Sequence, residues 1–398
     1  MSAIAGLISF DDHAPPEQHL RMMTAAMAYR GPDGINHWIK GNVALGHCLL
    51  QTTPESLEEC QPLGDEDGSL TLVLDGRIDN RKSLRRELIA KGKLLRDASD
   101  AELVLRAYEC WSSDCVTRLD GDFAFVIWDA RQHQAFLARD RMGKKPLYYW
   151  RAGNTLAFAT DFKALLSLPG SPREVNEAMV AEHLAVDVRS LDETLIRGIM
   201  RLPPACFQRV DRAGHKTSRY WDVDCAAEIR YKDESEYAEH FLDLLRNTVR
   251  SQMRSVSPVG IYLSGGVDSS TIAAIAADMA PGNQKPEAFS VVYPGEDYDE
   301  KPYIDSVLSM HKLRGHFVEP QARPFSDFGK DIARHLDLTD GPNGADTRQL
   351  LQIAKARNIR VMLDGYGGDE WFGRGGHYYN YLMKKRDFRR IYAHAKEQ

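Results

Sequence analysis

The segment 261–270, which reads IYLSGGVDSS, contains the residues with the clearest chemical potential. An apolar run at 259–263 predicts a buried parallel strand, and a helix-forming segment at 269–279 follows the intervening serine and glycine residues. A strand that ends in a glycine turn and enters a helix directs backbone N–H groups towards an anion. Glycine also lets phosphate oxygens approach the main chain closely, and serine hydroxyls add donors. The spacing therefore predicts a phosphate-binding loop.

Asp268 is unusual in such a loop, because a carboxylate repels phosphate unless a divalent cation lies between them. It therefore indicates Mg²⁺. The lysine of kinase-type phosphate loops is missing, and the S-G-G-x-D-S pattern instead resembles the pyrophosphatase loop of enzymes that split ATP into AMP and pyrophosphate. An ordinary strand–turn–helix with a serine cap is the alternative, which six specified positions in this context disfavour.

A second glycine motif, DGYGGDE at 364–370, follows another predicted strand at 359–363. Its Asp369 is a candidate Mg²⁺ ligand opposite Asp268. A glycine turn with surface acids would account for this motif alone, but less well beside the first motif. A strand at 289–293 offers a surface for adenine. The residues that we predict to contact ATP are Leu263, Ser264, Gly265, Gly266, Asp268, Ser269, Ser270, Val291 and Gly365.

The composition predicts a soluble globular protein of 398 residues in the cytoplasm, large enough for two or three domains. A formal net charge of -6 argues against a general nucleic-acid binder. The N-terminus lacks the basic start and apolar core of a signal peptide, and no apolar run approaches the length that spans a bilayer. The cysteines show no C-x-x-C spacing, which indicates reduced thiols.

The texture of the sequence changes along the chain. Residues 1–165 predict short strands with clustered helices, an α+β layered domain, and 166–230 predict a connecting region. Strands and helices alternate over 231–398, which predicts an α/β doubly wound parallel sheet. Asp299 and Glu300 open one of its helices, where an acidic pair is typical of a helix cap. The strands predicted for the first domain are 3–10, 43–50, 70–74, 123–128, 134–137, 147–150 and 156–159.

With both glycine motifs in this order, the chain resembles the asparagine synthetase family over nearly its whole length. The resemblance implies an N-terminal, Ntn-type αββα glutaminase domain and an ATP pyrophosphatase domain after it. It further implies that ATP and Mg²⁺ convert a carboxylate into an acyl-adenylate, which an amine then attacks to give an amide. The N-terminal motifs that carry it are MSAIAG at 1–6, RGPD at 30–33, LGH at 45–47, DG at 75–76, SD at 99–100, LDGDFAF at 119–125 and RDRMGKKPL at 139–147.

The glutaminase site departs from this family at three positions. Ser2 stands where glutamine-using members carry a nucleophilic cysteine, although serine serves in other N-terminal-nucleophile hydrolases. Leu49 replaces the arginine that holds the substrate carboxylate, and Asp75, followed by Gly76, replaces an asparagine that donates in the oxyanion hole. Asp100 remains as a group that can hold an α-amino group. We therefore predict an inactive glutaminase domain that serves as a scaffold.

Tyr366 is the departure in the synthetase half, where asparagine synthetases usually carry glutamate. A tyrosine there is similar to the ring-closing β-lactam and carbapenam synthetases, in which a tyrosine–glutamate pair helps to remove a proton from an internal amine. A tyrosine hydroxyl with an ordinary pKa of about 10 matches an ammonium group better than a carboxylate does. The open alternative is that Tyr366 packs at the mouth of the site. We take Tyr366 as a candidate catalytic residue, and Ser2 as a degenerate one.

The segment LQTTPES at 50–56 and the form of the second glycine motif are similar to lasso-peptide cyclases. Those enzymes activate a side-chain carboxylate of a precursor peptide and close it onto the N-terminus of the same peptide, so they need no ammonia. We therefore predict an AMP-forming, intramolecular amide synthetase, with a precursor peptide and its protease as partners. The alternatives are an asparagine synthetase that uses aspartate with glutamine or ammonia, and a non-catalytic ATP-binding scaffold.

A late lysine that stabilises the adenylate in the family has no counterpart before Gln398. Lys384 and Lys385 follow the second glycine motif too closely to replace it. We therefore expect a fragment, or a chain that another chain completes. Association, including a homodimer, stays open.

Overall fold

A computed structural model describes residues 2–11, 13–280, 284–320, 324–335, 344–368, 382–384, 386, 388–389 and 391–392. Two compact units account for the chain. The first comprises Met1–Tyr237 with Pro324–Asp340, and the second comprises Ala238–Arg323 with Gly341–Gln398. The candidate ligand Asp369 lies outside the described residues, whereas every other predicted site residue is described.

The first unit contains two six-stranded sheets whose paired strands run antiparallel. Their strand orders are β10-β8-β9-β1-β3-β2 and β12-β11-β7-β6-β5-β4. The strands are β1 (Ala3–Ser9), β2 (Gly34–Lys40), β3 (Val43–Leu49), β4 (Leu63–Gly64), β5 (Leu70–Ile78), β6 (Gly121–Asp129), β7 (Gln134–Arg139), β8 (Tyr148–Ala152), β9 (Thr155–Ala159), β10 (Met200–Arg201), β11 (Cys206–Val210) and β12 (His215–Arg219). The helices are α1 (Glu17–Ala26), α2 (Arg81–Ala90), α3 (Asp100–Trp111), α4 (Phe162–Leu166) and α5 (Glu177–Leu184).

The two sheets pack face to face, and helices cover their outer faces. Ile4 of β1 and Phe158 of β9 meet Val73 of β5 and Val126 of β6 in one apolar cluster between the sheets. The opposite face of the first sheet packs on α1 and α4, and that of the second sheet on α2 and α3. Residues on a strand alternate between the two faces of its sheet, and both faces of each sheet are covered here, so both sets of side chains are buried. The predicted αββα sandwich is confirmed.

Strands from the predicted connecting region complete both sheets. β10 pairs with β8, whereas β11 pairs with β7 and β12. The sheets therefore extend past residue 165, where the sequence predicts the end of the first domain. β12 (HKTSR) is a mostly exposed edge strand, so it lacks the alternation of apolar residues that identifies a strand. The edge strand β2 (GINHWIK) was not predicted for the same reason.

The second unit contains a parallel four-stranded sheet in the order β15-β14-β13-β16. Helices α6, α7 and α8 share one apolar cluster with the sheet, and α10 packs in a second cluster with Phe289 and Val318. The doubly wound parallel sheet is thus confirmed. The strands are β13 (Val259–Tyr262), β14 (Glu287–Val291), β15 (Arg314–Val318) and β16 (Val361–Leu363). Its helices are α6 (Glu234–Gln252), which begins at the end of the first unit, α7 (Val267–Met279), α8 (Lys301–His311) and α10 (Gly344–Ala356), whereas α9 (Phe325–His335) belongs to the first unit.

Helix lengths and composition also bear on membrane insertion. Across the described ranges, none of the helices is both long and apolar enough to cross a bilayer.

Candidate functional site

The order of the parallel strands fixes where a ligand can bind in the second unit. The chain runs from β13 outward to β14 and β15, and then returns to the other side of β13 as β16. Ile261 of β13 is in register with both Ala288 of β14 and Leu363 of β16. Open α/β sheets bind ligands at the carboxyl ends of the strands where the order reverses. Both glycine motifs begin at this point.

Serine side chains shape the first loop from within. The Ser264 N–H donates to Ser269 Oγ at 3.1 Å, and the two hydroxyl oxygens lie 2.9 Å apart. Ser269 is buried in the first turn of α7, so the loop is tied to the helix that it enters. Gly266 precedes α7, and no side chain caps this helix end. The first N–H groups of α7 therefore stay available for an anion.

The second glycine motif packs directly against this helix end. A Cβ atom on Gly365 would lie 3.0 Å from the Ser269 nitrogen and 3.2 Å from Asp268 Cβ. A Cβ atom on Gly368 would overlap the Asp268 carboxylate. Both positions therefore need glycine, because any side chain would separate the two loops. The contact places the predicted loop residues of both motifs in one site.

Asp268 is the residue of this site that fits a metal. Its carboxylate lies against the backbone of the second motif, and no described residue gives it a hydrogen bond or an ion pair. A carboxylate without a cation partner at the mouth of an anion-binding loop suits Mg²⁺. Within the described parts of the chain, no group of three or more His, Cys, Asp or Glu side chains forms a metal cluster. Among the described residues, Asp268 is thus the one candidate metal ligand at this site.

The remaining predicted residues line the strand ends and the second loop. The Leu263 N–H donates to the Phe289 carbonyl at 3.0 Å. The Ser270 N–H donates to the Gly266 carbonyl at 3.3 Å, as part of the first turn of α7. Val291 ends β14 and is partly buried. Tyr366 is 83% exposed, and its backbone N–H donates to Asp364 Oδ1 at 3.1 Å. The phenol ring therefore projects from the loop and is not packed against it.

Glu300 contacts the phosphate loop, which the sequence did not predict. The Gly265 N–H donates to Glu300 Oε2 at 2.9 Å. A Cβ atom on Gly265 would lie 2.9 Å from Glu300 Cβ and 3.1 Å from Tyr303 Cβ. The sequence analysis interpreted the acidic pair before α8 as a helix cap. It therefore did not predict that Glu300 contacts Gly265, which lies 35 residues earlier.

In the first unit, Ser2 lies beside a buried ionic cluster. The Leu50 N–H donates to Ser2 Oγ at 3.0 Å, and Arg30 Nε donates to the Ser2 carbonyl at 3.3 Å. Asp75 is 1% exposed, with Arg30 at 3.4 Å from one carboxylate oxygen and Lys145 at 3.2 Å from the other. A carboxylate held between two cations is an acceptor, so it cannot donate a hydrogen bond to an oxyanion.

Asp100 is also engaged by a cation of the chain. Arg81 Nη1 contacts Asp100 Oδ1 directly, and Arg81 Nε lies 3.4 Å from Glu55 Oε1. A guanidinium group thus occupies the carboxylate that was predicted to hold an α-amino group. Gly76 pairs with Phe123 of β6, and a Cβ atom there would lie 2.7 Å from the Asp122 carbonyl oxygen. Close strand pairing therefore accounts for this glycine.

Burial changes the titration of two groups in this region. Burial lowers the pKa of His47 to about 4, against the opposing effect of the Asp75 charge. Among the described residues, His47 Nε2 has no hydrogen-bond partner. Burial, with the charge of Asp100, raises the pKa of Glu59 to about 8. His47 is thus neutral at pH 7, and Glu59 is mostly protonated.

Two family profiles match the chain in succession. The glutamine amidotransferase domain matches residues 1–221, and asparagine synthase matches residues 240–398. Asparagine synthetase [glutamine-hydrolyzing] 3 of Bacillus subtilis is 30% identical over 94% of this chain, which spans 63% of that protein. A putative asparagine synthetase of Methanocaldococcus jannaschii is 29% identical over 98% of this chain and 80% of its own length. Amidase chyE of Penicillium rubens is 27% identical over 87% of this chain and 53% of its own length.

Acid should destabilise the first unit through His47. Its pKa in the folded chain lies below the ordinary value of 6.5, so its contribution to stability is complete above pH 6.5 and is lost as the pH falls towards 4. The loss amounts to about 3 kcal/mol. Thermal unfolding followed by circular dichroism between pH 7 and pH 4 should show a smaller drop in melting temperature for His47→Gln than for the unmodified chain.

The matched control for this measurement is His13→Gln, because the His13 side chain is 90% exposed. This variant should follow the unmodified chain across the whole pH range. Equal pH slopes for His47→Gln and the unmodified chain would contradict the prediction.

Replacement of Asp268 should weaken binding of the metal–nucleotide complex. Asp268→Asn keeps the shape of the side chain but removes the charge that attracts Mg²⁺, so we expect about a tenfold loss of MgATP affinity. Calorimetric titration with MgATP measures this loss. Asp278→Asn is the control, since Asp278 lies at the far end of α7 and its side chain is 77% exposed. Equal affinities in both variants would count against a metal at Asp268.

Proposed function

The chain belongs to the asparagine synthetase family, and from that premise we propose that it forms the ATP-binding part of an AMP-forming amide synthetase. A substrate carboxylate oxygen attacks the α-phosphorus of ATP, the bond to the bridging oxygen breaks, and pyrophosphate leaves. An amine then attacks the acyl carbon of the adenylate, AMP leaves, and the amine proton passes to a base. The relatives named as asparagine synthetases support a carbon–nitrogen ligase.

A single contact carries this proposal, the packing of Asp268 against Gly365 and Gly368. It brings a helix N-terminus with open N–H groups, serine hydroxyls and a carboxylate without a described partner to the strand ends where such sheets bind ligands. In this reading the loop 264–266 and the first turn of α7 hold phosphate oxygens. Bound Mg²⁺ would neutralise phosphate charge, with Asp268 as one ligand. Asp369 is proposed as a second ligand from the sequence alone.

We propose further that the amine is not ammonia derived from glutamine. Arg81 forms an ion pair with Asp100, and Lys145 and Arg30 form ion pairs with Asp75. The polar groups that were predicted to hold glutamine are therefore already paired with side chains of this protein. Leu49 is 8% exposed and offers no charge for a carboxylate. An internal amine removes the need for ammonia, which favours a cyclase of the lasso-peptide type with a peptide as substrate.

The alternative is an asparagine synthetase that works with glutamine or ammonia. The names of the bacterial and archaeal relatives favour it, whereas the fungal relative is named an amidase. Tyr366 favours the cyclase, because its phenol is exposed, has no described hydrogen-bond partner and suits proton transfer from an amine. A non-catalytic ATP-binding scaffold is the third candidate.

Pyrophosphate release separates the first two candidates. The longest reading frame that contains this chain should release pyrophosphate from ATP and Mg²⁺ with a suitable precursor peptide, and not with aspartate plus ammonia. Tyr366→Phe should then lower amide formation by about 10²-fold or more, since general base catalysis contributes about that much. It should leave the affinity for ATP unchanged. Tyr298→Phe is the control, because Tyr298 is also exposed but lies before α8.

Release with aspartate would instead establish the asparagine synthetase reading. Release with neither substrate, despite ATP binding, would establish the scaffold reading.

The first unit should not hydrolyse glutamine. We expect no release of glutamate from glutamine by the unmodified chain, and none by Ser2→Cys, because a thiol at position 2 does not free Asp100 from Arg81. A coupled glutamate assay measures both. Glutamate formation that disappears in Ser2→Ala would show an active site at Ser2 and overturn the proposal of an inactive domain.

A further inference from the structure

We infer that Glu300 is a positioning residue whose carboxylate takes the place of a phosphate in the ATP loop and competes with the nucleotide. The inference rests on the proposed function of this loop. It goes further by identifying a group of the chain itself that sets the affinity of the loop for anions and its dependence on Mg²⁺.

The hydrogen bond to Gly265 is the first observation. Glu300 Oε2 accepts from the Gly265 N–H at 2.9 Å, a charge-assisted bond between an anion and a loop backbone N–H. The neighbouring loop donors are arranged differently. The Gly266 N–H points to Ser264 Oγ at 3.3 Å, and α7 begins without a side-chain cap. In the described loop, one anionic oxygen therefore accepts a hydrogen bond from a backbone N–H, and that oxygen belongs to Glu300.

Close packing of the main chain is the second observation. Gly265 lies so near Glu300 and Tyr303 that a Cβ atom at position 265 would come within 2.9 Å and 3.1 Å of their Cβ atoms. Glu300 precedes α8, and the N–H groups of Tyr303 and Ile304 donate to its carbonyl oxygen. The backbone of Glu300 is thus fixed beside the loop, so its carboxylate loses little conformational entropy when it accepts from Gly265.

The charge of Glu300 has two opposite effects on the loop. It satisfies a backbone donor and so keeps the loop in an anion-binding conformation before ATP arrives. It also repels phosphate, since two anions cannot share one N–H donor without a cation between them. Because Glu300 is exposed, salt screens part of this repulsion. Removal of the charge should therefore strengthen anion binding most clearly at low ionic strength and without Mg²⁺.

Glu300→Gln separates charge from shape, because the amide oxygen can still accept from Gly265. Calorimetric titration with inorganic pyrophosphate, at low salt and with a chelator present, should give binding about five to ten times tighter than in the unmodified chain. Adding Mg²⁺ should improve the affinity of Glu300→Gln less than that of the unmodified chain. A purely structural contact would leave both quantities unchanged or would weaken binding.

Glu296→Gln is the matched control, since it removes one exposed charge from the same connection without touching the loop. It should bind pyrophosphate as the unmodified chain does. Glu300→Ala also removes the charge, and it replaces Glu300→Gln if circular dichroism shows that the glutamine variant is misfolded. Its binding should again be tighter than that of the unmodified chain.

The outcomes distinguish this inference from the proposed function. Pyrophosphate affinity that Glu300→Gln leaves unchanged or reduces overturns the role of Glu300, even when pyrophosphate release from ATP proceeds normally. Tighter binding by Glu300→Gln supports that role, even when no substrate supports turnover. Absence of any pyrophosphate binding, with or without Mg²⁺, overturns the role of Glu300 as well.

Discussion

The contact between Asp268 and the glycines of the second motif is the constraint on which the synthetase half depends. It exists because β16 returns to pair with β13, so that loops about 100 residues apart leave the sheet side by side. Positions 365 and 368 then require glycine because the two loops lie so close together that a methyl group there would push Asp268 away. The charge distribution follows from the same contact, because it presents an anionic side chain beside open N–H donors. Such a pair is stable with a cation and a polyanion between its members.

Local patterns predicted the elements of this sheet well. The strands predicted at 259–263 and 359–363 contain β13 and β16, and α7 begins only two residues before its predicted start at 269. Those elements carry strong periodicity and clear boundary residues. The edge strands β2 and β12 escaped prediction because both of their faces are partly or fully exposed. An exposed strand has no apolar alternation, and its pairing partner decides its conformation.

Long-range side-chain contacts were beyond prediction for a different reason. The ion pairs of Arg81 with Asp100 and of Lys145 with Asp75 join residues 19 and 70 positions apart, and the Glu300–Gly265 bond spans 35. Sequence spacing gives no distance between such residues until the fold is known. The motifs indicated which residues can do chemistry, whereas the structure shows which of them are already neutralised by the chain.

That difference separates the two halves of the molecule. In the first unit, Asp75 and Asp100 are buried and paired with cations, and a paired carboxylate has little affinity left for an incoming ammonium group. Opening that site would leave a partly buried guanidinium or ammonium group without its carboxylate, which is costly. In the second unit, Asp268 has no described cation partner, and the described partner of the Glu300 carboxylate is a neutral N–H. A site whose charges lack partners within the chain gains more from a ligand than a site whose charges are paired internally. The carboxylates without a described cation partner therefore favour our proposal that the parallel sheet carries the chemistry.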